Sequence, residues 1–132
     1  MLEAAIRRGD PDPGGMVASL RALLHADAGD RKRSEAGIRT ALLDQGPEQF
    51  HHSTYFIAAA YLKLGRPAEA MRWLRFTVDN GFLCYPQIEW DPDFDPLRKD
   101  PQFSALMTSV RKQVADYRRK LAPDNANLQA RR

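Results

Sequence analysis

Three aspartates alternate along a short stretch of the chain and could bind a metal ion. Asp91, Asp93 and Asp95 have the spacing of the first ligands of a calcium-binding loop. Such a loop also requires glycine at its sixth position and glutamate at its twelfth, and those positions hold Pro96 and Gln102. Two of the aspartates each precede a proline, and an Asp–Pro pair is typical of a helix start. We therefore interpret these aspartates as helix caps and predict no metal site.

Two adjacent histidines and a single cysteine are the other candidates for metal binding or catalysis. His51 and His52 would point about 100° apart on a helix, and no third ligand stands at metal-binding spacing. Cys84 lies between Leu83 and Tyr85, which favours a buried and unreactive thiol. The sequence contains no glycine-rich phosphate loop, nucleophile elbow or paired-carboxylate motif. We expect no catalytic residue, no cofactor and no enzymatic activity.

Two clusters of basic residues, 31–33 and 118–120, could bind phosphate groups. Neither has aromatic residues interleaved for base stacking, and the net charge of the chain is only +3. Charged residues of both signs alternate along the chain, so the basic excess does not indicate a nucleic-acid partner. We interpret both clusters as solvated helix faces.

Four aromatic residues lie close together in sequence and could anchor a protein partner: Trp73, Phe76, Tyr85 and Trp90. Protein interfaces are enriched in such residues. The alternative is that they pack the segment after Gly81 against the preceding helix. We favour this packing interpretation.

An internal repeat predicts the elements that position these residues. Leu2, Ile38 and Leu74 follow one another at intervals of 36 residues, and Ala22 and Ala58 share the same interval. A fixed period of this length is typical of stacked helical units, none of which can bury its apolar face alone. Helices are therefore predicted at about residues 16–28, 30–45, 47–64 and 67–80, followed by a long helix from about 101 to 121.

The second repeat resembles the tetratricopeptide repeat (TPR), whose pattern is W-x2-L-G-x2-Y followed by A-x3-F. The matching residues are Thr54-x2-Ile57-Ala58-x2-Tyr61, Gly65 and Ala70-x3-Leu74-x2-Thr77. The first unit departs from the pattern at the polar Arg21, and the period exceeds the usual 34 residues of the family. Small residues at Ala58 and Ala70 stand where the resemblance places the closest contact of two helices.

The segment after the repeats resembles the one that closes TPR arrays in many large bacterial signalling and regulatory proteins. The resemblance runs from Gly81-Phe82 through Asp95-Pro96-Leu97-Arg98 to Asp100-Pro101-Gln102-Phe103. The fold class implied is all-α: a right-handed stack of TPR-like antiparallel helix pairs, an α-solenoid, with a C-terminal capping helix. A single domain is expected over residues 1–122, with repeat units at about 14–46 and 47–81, a capping segment at 82–122 and a disordered tail at 123–132.

The TPR resemblance implies a protein–protein interaction module that binds a peptide or helix on the concave face of the first helix of each pair. The positions that correspond to this groove are Met16, Ser19, Leu23 and Ala26 in the first unit, and His52, Tyr55, Ala59, Leu62 and Lys63 in the second. Families that bind a C-terminal carboxylate place a clamp of lysine and asparagine in the groove, and Tyr55, Ala59, Ser19 and Leu23 offer no such clamp. We therefore expect apolar contacts with a partner protein or peptide.

A different hypothesis makes the chain a structural spacer or self-association segment of a larger multidomain protein. Residues 1–8 match the end of a second helix of a repeat, so Leu2 and Ile6 would be free to pair with another copy as a homodimer.

Cysteine usage and hydropathy give an expectation about the compartment. One cysteine excludes an internal disulfide, and no stretch has the length and apolar character of a signal peptide or membrane span. We expect a cytoplasmic protein with no membrane partner. The excess of arginine over lysine and the abundance of alanine suggest a bacterial gene.

Overall fold

The computed structural model of the protein describes residues 11–43 and 50–129. Its α-helices are α1 (Met16–Asp27), α2 (Arg31–Leu43), α3 (Phe50–Lys63), α4 (Pro67–Asp79), α5 (Tyr85–Trp90) and α6 (Pro101–Gln129). Short 3₁₀ segments occupy Pro13–Gly15 and Pro92–Leu97. These two stretches contain no β-strand, which confirms the all-helical class for the part of the chain described.

The helix boundaries agree closely with the sequence pattern in the repeats and less well after them. Helices α1 and α4 begin at the predicted residues and end within one residue of the predicted ends. The predicted end of α2 and start of α3 fall in residues 44–49, outside the described residues. Helix α5 was not predicted, because the repeat pattern is lost there. Helix α6 continues past the predicted end at residue 121 and ends at Gln129; the disorder of the tail stays a prediction.

The helices pack as two consecutive pairs. Helix α1 packs along α2, and α3 packs along α4, because the loops at 28–30 and 64–66 are too short for any other return of the chain. The first helices of the two pairs, α1 and α3, also contact each other along their lengths. The 3₁₀ segment Pro92–Leu97 lies against α3 and α4, and α6 contacts α4 and α5.

Helix α3 contributes to both parts of the hydrophobic core. One cluster joins the two pairs through Ala22, Ala26, Ile38, Ala41, Ile57, Ala60 and Leu64. The other joins α3 and α4 to the segment after Gly81 through residues that include Tyr55, Leu74, Ile88, Phe94, Leu97 and Val110. Residues 55–62 of α3 are apolar on all sides of the helix, which is typical of a helix in the middle of a structure, and α3 lies between the two clusters.

The contact between α3 and α4 yields a test of this packing. Ala58 and Ala70 are both fully buried, so Ala70→Leu inserts methyl and methylene groups into a filled contact. We expect the free energy of unfolding to fall by about 1 to 3 kcal/mol. Ala68 is exposed on the same helix, so Ala68→Leu is the matched control and should change it little. Equal denaturant midpoints for the two variants would contradict the pairing.

A close approach of backbone to backbone at the start of α1 yields a second test. Gly15 has a φ of 66°, and a Cβ placed on it would lie 2.3 Å from the carbonyl oxygen of Ala41. Gly29 has a φ of 76°, but a Cβ there meets nothing within 4 Å. Alanine at either position adopts an unfavourable left-handed conformation.

Because only the change at the first glycine also forces α1 away from α2, Gly15→Ala should destabilise the protein by about 1 to 3 kcal/mol more than Gly29→Ala. Urea unfolding of both variants measures the difference. An equal loss of unfolding free energy in the two variants would show that α1 can move away from Ala41 at little cost.

Candidate interaction surface

The apolar floor of the predicted groove is covered by the protein itself. Tyr55, Ala59 and Leu62 of α3 are all buried. The ring of Tyr55 lies 5.1 Å from that of Phe82 and 5.2 Å from that of Phe94, measured between centroids. The sequence predicts an open groove at these positions, whereas in the structure residues 82–97 fill it. This segment therefore occupies the place where the sequence predicts a partner.

A hydrogen bond fastens that segment to the floor of the groove. The hydroxyl group of Tyr55 donates to Oδ2 of Asp91 at 2.5 Å. Burial of the ring and this bond to a carboxylate raise the pKa of Tyr55 well above its ordinary value. The phenol therefore stays protonated, as a donor to Asp91 must.

An ion-pair bridge joins the same segment to both first helices. Nζ of Lys63 lies 2.8 Å from a carboxylate oxygen of Asp27, at the end of α1, and 2.8 Å from one of Asp93. The hydrogen bonds to Asp27 and Asp93 raise the pKa of Lys63, although burial opposes them. Lys63, the lysine at the predicted groove positions, therefore forms ion pairs with Asp27 and Asp93 of the same chain.

The three alternating aspartates form contacts within the capping segment and with helix α3. Asp91 caps the 3₁₀ segment by accepting a hydrogen bond from the backbone amide of Asp93 at 2.9 Å, which confirms the predicted capping role. Asp95 pairs with Arg98 at 2.6 Å, and Asp93 pairs with Lys63. Within residues 11–43 and 50–129, no three metal-ligating side chains form a group that could hold an ion.

The rim of the predicted groove is more open than its floor. Met16 and Leu23 of α1 are half-buried and His52 of α3 is exposed, whereas Ser19 and Ala26 are buried. The hydroxyl group of Ser19 donates to the carbonyl oxygen of Met16 at 2.9 Å. Of the predicted positions, Met16, Leu23, His52 and Lys63 therefore keep accessible surface.

The paired histidines lie against the start of the capping segment. The ring of His52 lies 4.3 Å from that of His51 and 5.7 Å, edge on, from that of Phe82. Burial, together with repulsion from His52, lowers the pKa of His51. The two imidazole rings and the ring of Phe82 therefore form an aromatic edge beside the groove.

The first basic cluster has a structural role that the sequence did not reveal. Arg31 donates from Nη2 to the carbonyl oxygen of Leu64 at 2.9 Å, and so satisfies a free carbonyl group at the end of α3. Arg33 pairs with Asp30 at 3.3 Å. Residues 31–33 are all exposed, as predicted for a solvated face, and Arg31 has this hydrogen-bonding role in addition. In the second cluster, Arg119 pairs with Asp116.

Two predictions about buried side chains near α5 are wrong. Cys84 is exposed, because it precedes the first turn of α5 at the surface. Trp73 and Tyr85 pack partly against the core as expected, but Trp90 is 81% exposed. The spacing of the aromatic residues does not show which of them face the core, because the helix α5 that orients Tyr85 and Trp90 was not predicted.

The outer half of α6 is a surface that sequence reasoning missed. Apolar residues recur along this helix at steps of three and four from Phe103 to Leu121, which is typical of one buried side. In the structure Phe103, Met107 and Val110 are buried, whereas Tyr117 is 55% exposed and Leu121 is 68% exposed. The length of the apolar stripe could have predicted this exposed surface, because the stripe is longer than the helices α4 and α5 that could cover it.

Comparisons and hydropathy add little to this geometry. No family model, curated protein or solved structure matches the chain. In the part of the chain that the structure describes, no helix has the length and apolar character needed to cross a membrane.

The bond between Tyr55 and Asp91 yields a prediction with a pH dependence. Tyr55→Phe removes a hydrogen bond to a charged group and should lower the free energy of unfolding by about 1.5 kcal/mol. Tyr117→Phe is the matched control, since the ring of Tyr117 is largely exposed, and should change little.

The raised pKa of Tyr55 also sets the sign of an alkaline effect. A tyrosine that binds its proton more tightly in the folded state stabilises that state fully below the unfolded value of about 10, and loses the contribution as the pH rises. Lys63 acts in the same direction. We expect stability to fall above about pH 10 and to fall less steeply in Tyr55→Phe. Parallel pH profiles of the thermal midpoint for variant and parent would contradict this.

Proposed function

We propose that this protein is a non-catalytic interaction module, a right-handed stack of TPR-like helix pairs that binds a peptide or helix of a partner protein along its first helices. The supporting observation is that α1 and α3 lie side by side along their lengths. Two adjacent helices of this kind present one continuous concave surface, as in solenoid proteins that bind extended ligands.

The segment that fills the second half of the groove indicates the chemistry of a ligand. Phe94 packs on Tyr55, and the carboxylates of Asp91 and Asp93 meet the phenol and the ammonium group. Because these polar groups are already paired, a partner gains little from acidic side chains there. The remaining surface around Met16, Leu23 and His52 favours apolar contacts with an amphipathic helix or an extended peptide.

A second candidate function, a spacer within a longer helical array, is favoured by the open end of the first pair. Ser53, Ile57 and Ala60 of α3 are fully buried, and Ile57 and Ala60 belong to the cluster shared with the first pair. At the interval of 36 residues, their counterparts on α1 are Val17, Arg21 and Leu24.

These counterparts form a face with the character of an uncovered interface. Leu24 is 55% exposed, and Nε of Arg21 is buried with no hydrogen-bond partner among the described residues. A preceding helix pair or a second copy would cover Leu24 and offer acceptors to Arg21. The predicted self-association through Leu2 and Ile6 concerns residues outside the described ranges and remains part of this proposal.

One crosslinking experiment separates the two functions. A photoreactive benzoylphenylalanine replaces His52 at the rim of the groove, Leu24 at the open end of α1, or Arg75, an exposed residue of α4 that serves as the control. The three proteins are irradiated in a lysate of the native host, and the adducts are identified by mass spectrometry.

The interaction module predicts a partner adduct at position 52 that is well above the background at position 75, because the photoreactive group forms an adduct only with a molecule that touches it. The spacer predicts adducts at position 24 with another copy or with a further helical unit. Equal yields at positions 52 and 75 would remove the groove as the binding surface.

Substitutions in the floor of the groove do not test binding cleanly, because that floor is buried. Tyr55→Ala and Leu62→Asp would remove or charge buried side chains, so loss of binding in them would report unfolding. Substitution of the exposed His52 avoids this ambiguity.

A further inference from the structure

Helix α6 carries an apolar seam with the spacing of a coiled coil. Phe103, Met107, Val110, Val114, Tyr117 and Leu121 follow one another at alternating steps of four and three residues. That alternation keeps a narrow line of side chains on one side of a helix and matches the core positions of a heptad repeat. The first three are buried against the rest of the protein, and the seam then continues into solvent.

The exposed half of the seam is built to contact another helix. Val114 is half-buried, and Tyr117 and Leu121 are largely exposed. The residues on either side of this line are mostly polar and exposed, among them Lys112 and Gln113. A helix that lies in a lipid surface needs a broad apolar face, whereas a strip two positions wide in seven is the pattern of a helix–helix seam.

The charges beside the seam indicate the chemistry of the partner helix. The flanking heptad positions hold Arg111 and Arg118 on one side, and Gln113 and Lys120 on the other. Arg111 pairs with Glu89 of α5 and lies over the ring of Tyr85. Arg118 and Lys120 are exposed, so a helix that docks on Tyr117 and Leu121 meets a basic border.

A second copy of this chain does not supply the complementary charges. Two α6 helices paired in opposite directions place arginine against arginine and lysine against lysine along the seam, and paired in the same direction they place Gln113 beside Arg118. Neither arrangement forms an attractive pair, and like charges at these positions disfavour association.

We propose that the outer half of α6 docks an acidic amphipathic helix of a partner protein, with apolar residues at heptad spacing and glutamate or aspartate beside them. Tyr117 and Leu121 supply the apolar contact, while Arg118 and Lys120 select the acidic flanks. This surface is separate from the groove around His52, so it stands or falls independently of the proposed function.

The probe is a fluorescein-labelled synthetic helix of about four heptads, with leucine at the core positions and glutamate at the flanks. Fluorescence anisotropy measures its affinity for the protein at concentrations where the peptide alone is monomeric. Tyr117→Asp and Leu121→Asp should each weaken binding by about tenfold or more. Circular dichroism should show an unchanged melting temperature, because both side chains are exposed.

A charge exchange tests the selection of acidic flanks. The double variant Arg118→Glu with Lys120→Glu should lose the glutamate-flanked peptide and bind a lysine-flanked version instead. The control variant, Arg72→Glu with Arg75→Glu, makes the same change in net charge on exposed residues of α4. It should bind both peptides within about twofold of the parent, because charges beyond a Debye length of roughly 8 Å are screened at physiological salt.

Several results would overturn the proposal. Equal loss in the α4 control would reduce the effect to net charge, and undiminished binding by Tyr117→Asp and Leu121→Asp would remove the seam. Sedimentation with phosphatidylserine vesicles that depends on Tyr117, without binding of the peptide, would assign the surface to lipid. A concentration-dependent dimer that Leu121→Asp dissolves would assign it to a second copy. Each of these leaves the crosslinking result at position 52 unaffected.

Discussion

Close contact of helix α3 with its neighbours on every side is the constraint on which the rest of the structure depends. Ala58, Ala59 and Ala60 are almost completely buried, and their small side chains let other elements approach the helix axis. Helix α1 approaches from one side, α4 from another, and the segment 82–97 closes a third. Because protein interiors are close-packed, a larger side chain at any of these positions would displace one of these neighbours.

The closure of the third side brings polar groups into a largely apolar contact, and each is paired. Tyr55 is buried beneath residues 82–97, and Asp91 accepts the hydrogen bond of its hydroxyl group. A buried polar group without a partner is costly, so this bond holds the segment in place on α3. At the exposed end of α3, Lys63 adds an ion pair with Asp93. The floor of the groove is therefore part of the core, and the rim at His52 is what a partner can reach.

Helix α6 shows how one sequence pattern can have two roles. Its first half buries Phe103 and Val110 and completes the core beside α4 and α5. Its second half repeats the same spacing: Val114 still packs partly against the core, whereas Tyr117 and Leu121 remain at the surface. The exposed apolar side chains of the seam favour burial against another helix, and the basic flanks favour a helix with acidic side chains. These two properties are the basis of the proposed docking site.

Local patterns in the sequence determine much of this protein. The repeat interval of 36 residues predicts the two helix pairs. The TPR resemblance predicts that Ala58 and Ala70 lie where the helices of the second pair meet, and both are fully buried. The capping role of Asp91 also follows from local chemistry, because an aspartate before a proline satisfies amide groups of the turn that follows. These features depend on neighbours within a few turns of helix.

Only the tertiary structure determines which residues of the candidate site are buried and which are accessible. Tyr55 and Leu62 are on the predicted face of α3, but nothing near them in sequence specifies that residues 82–97 return to cover that face. Amphipathic spacing likewise shows which side of α6 is apolar, and cannot show where the neighbouring helices stop. Burial depends on packing between elements that are distant in the chain. No local sequence pattern therefore shows that Tyr55 is buried and that Leu121 is exposed.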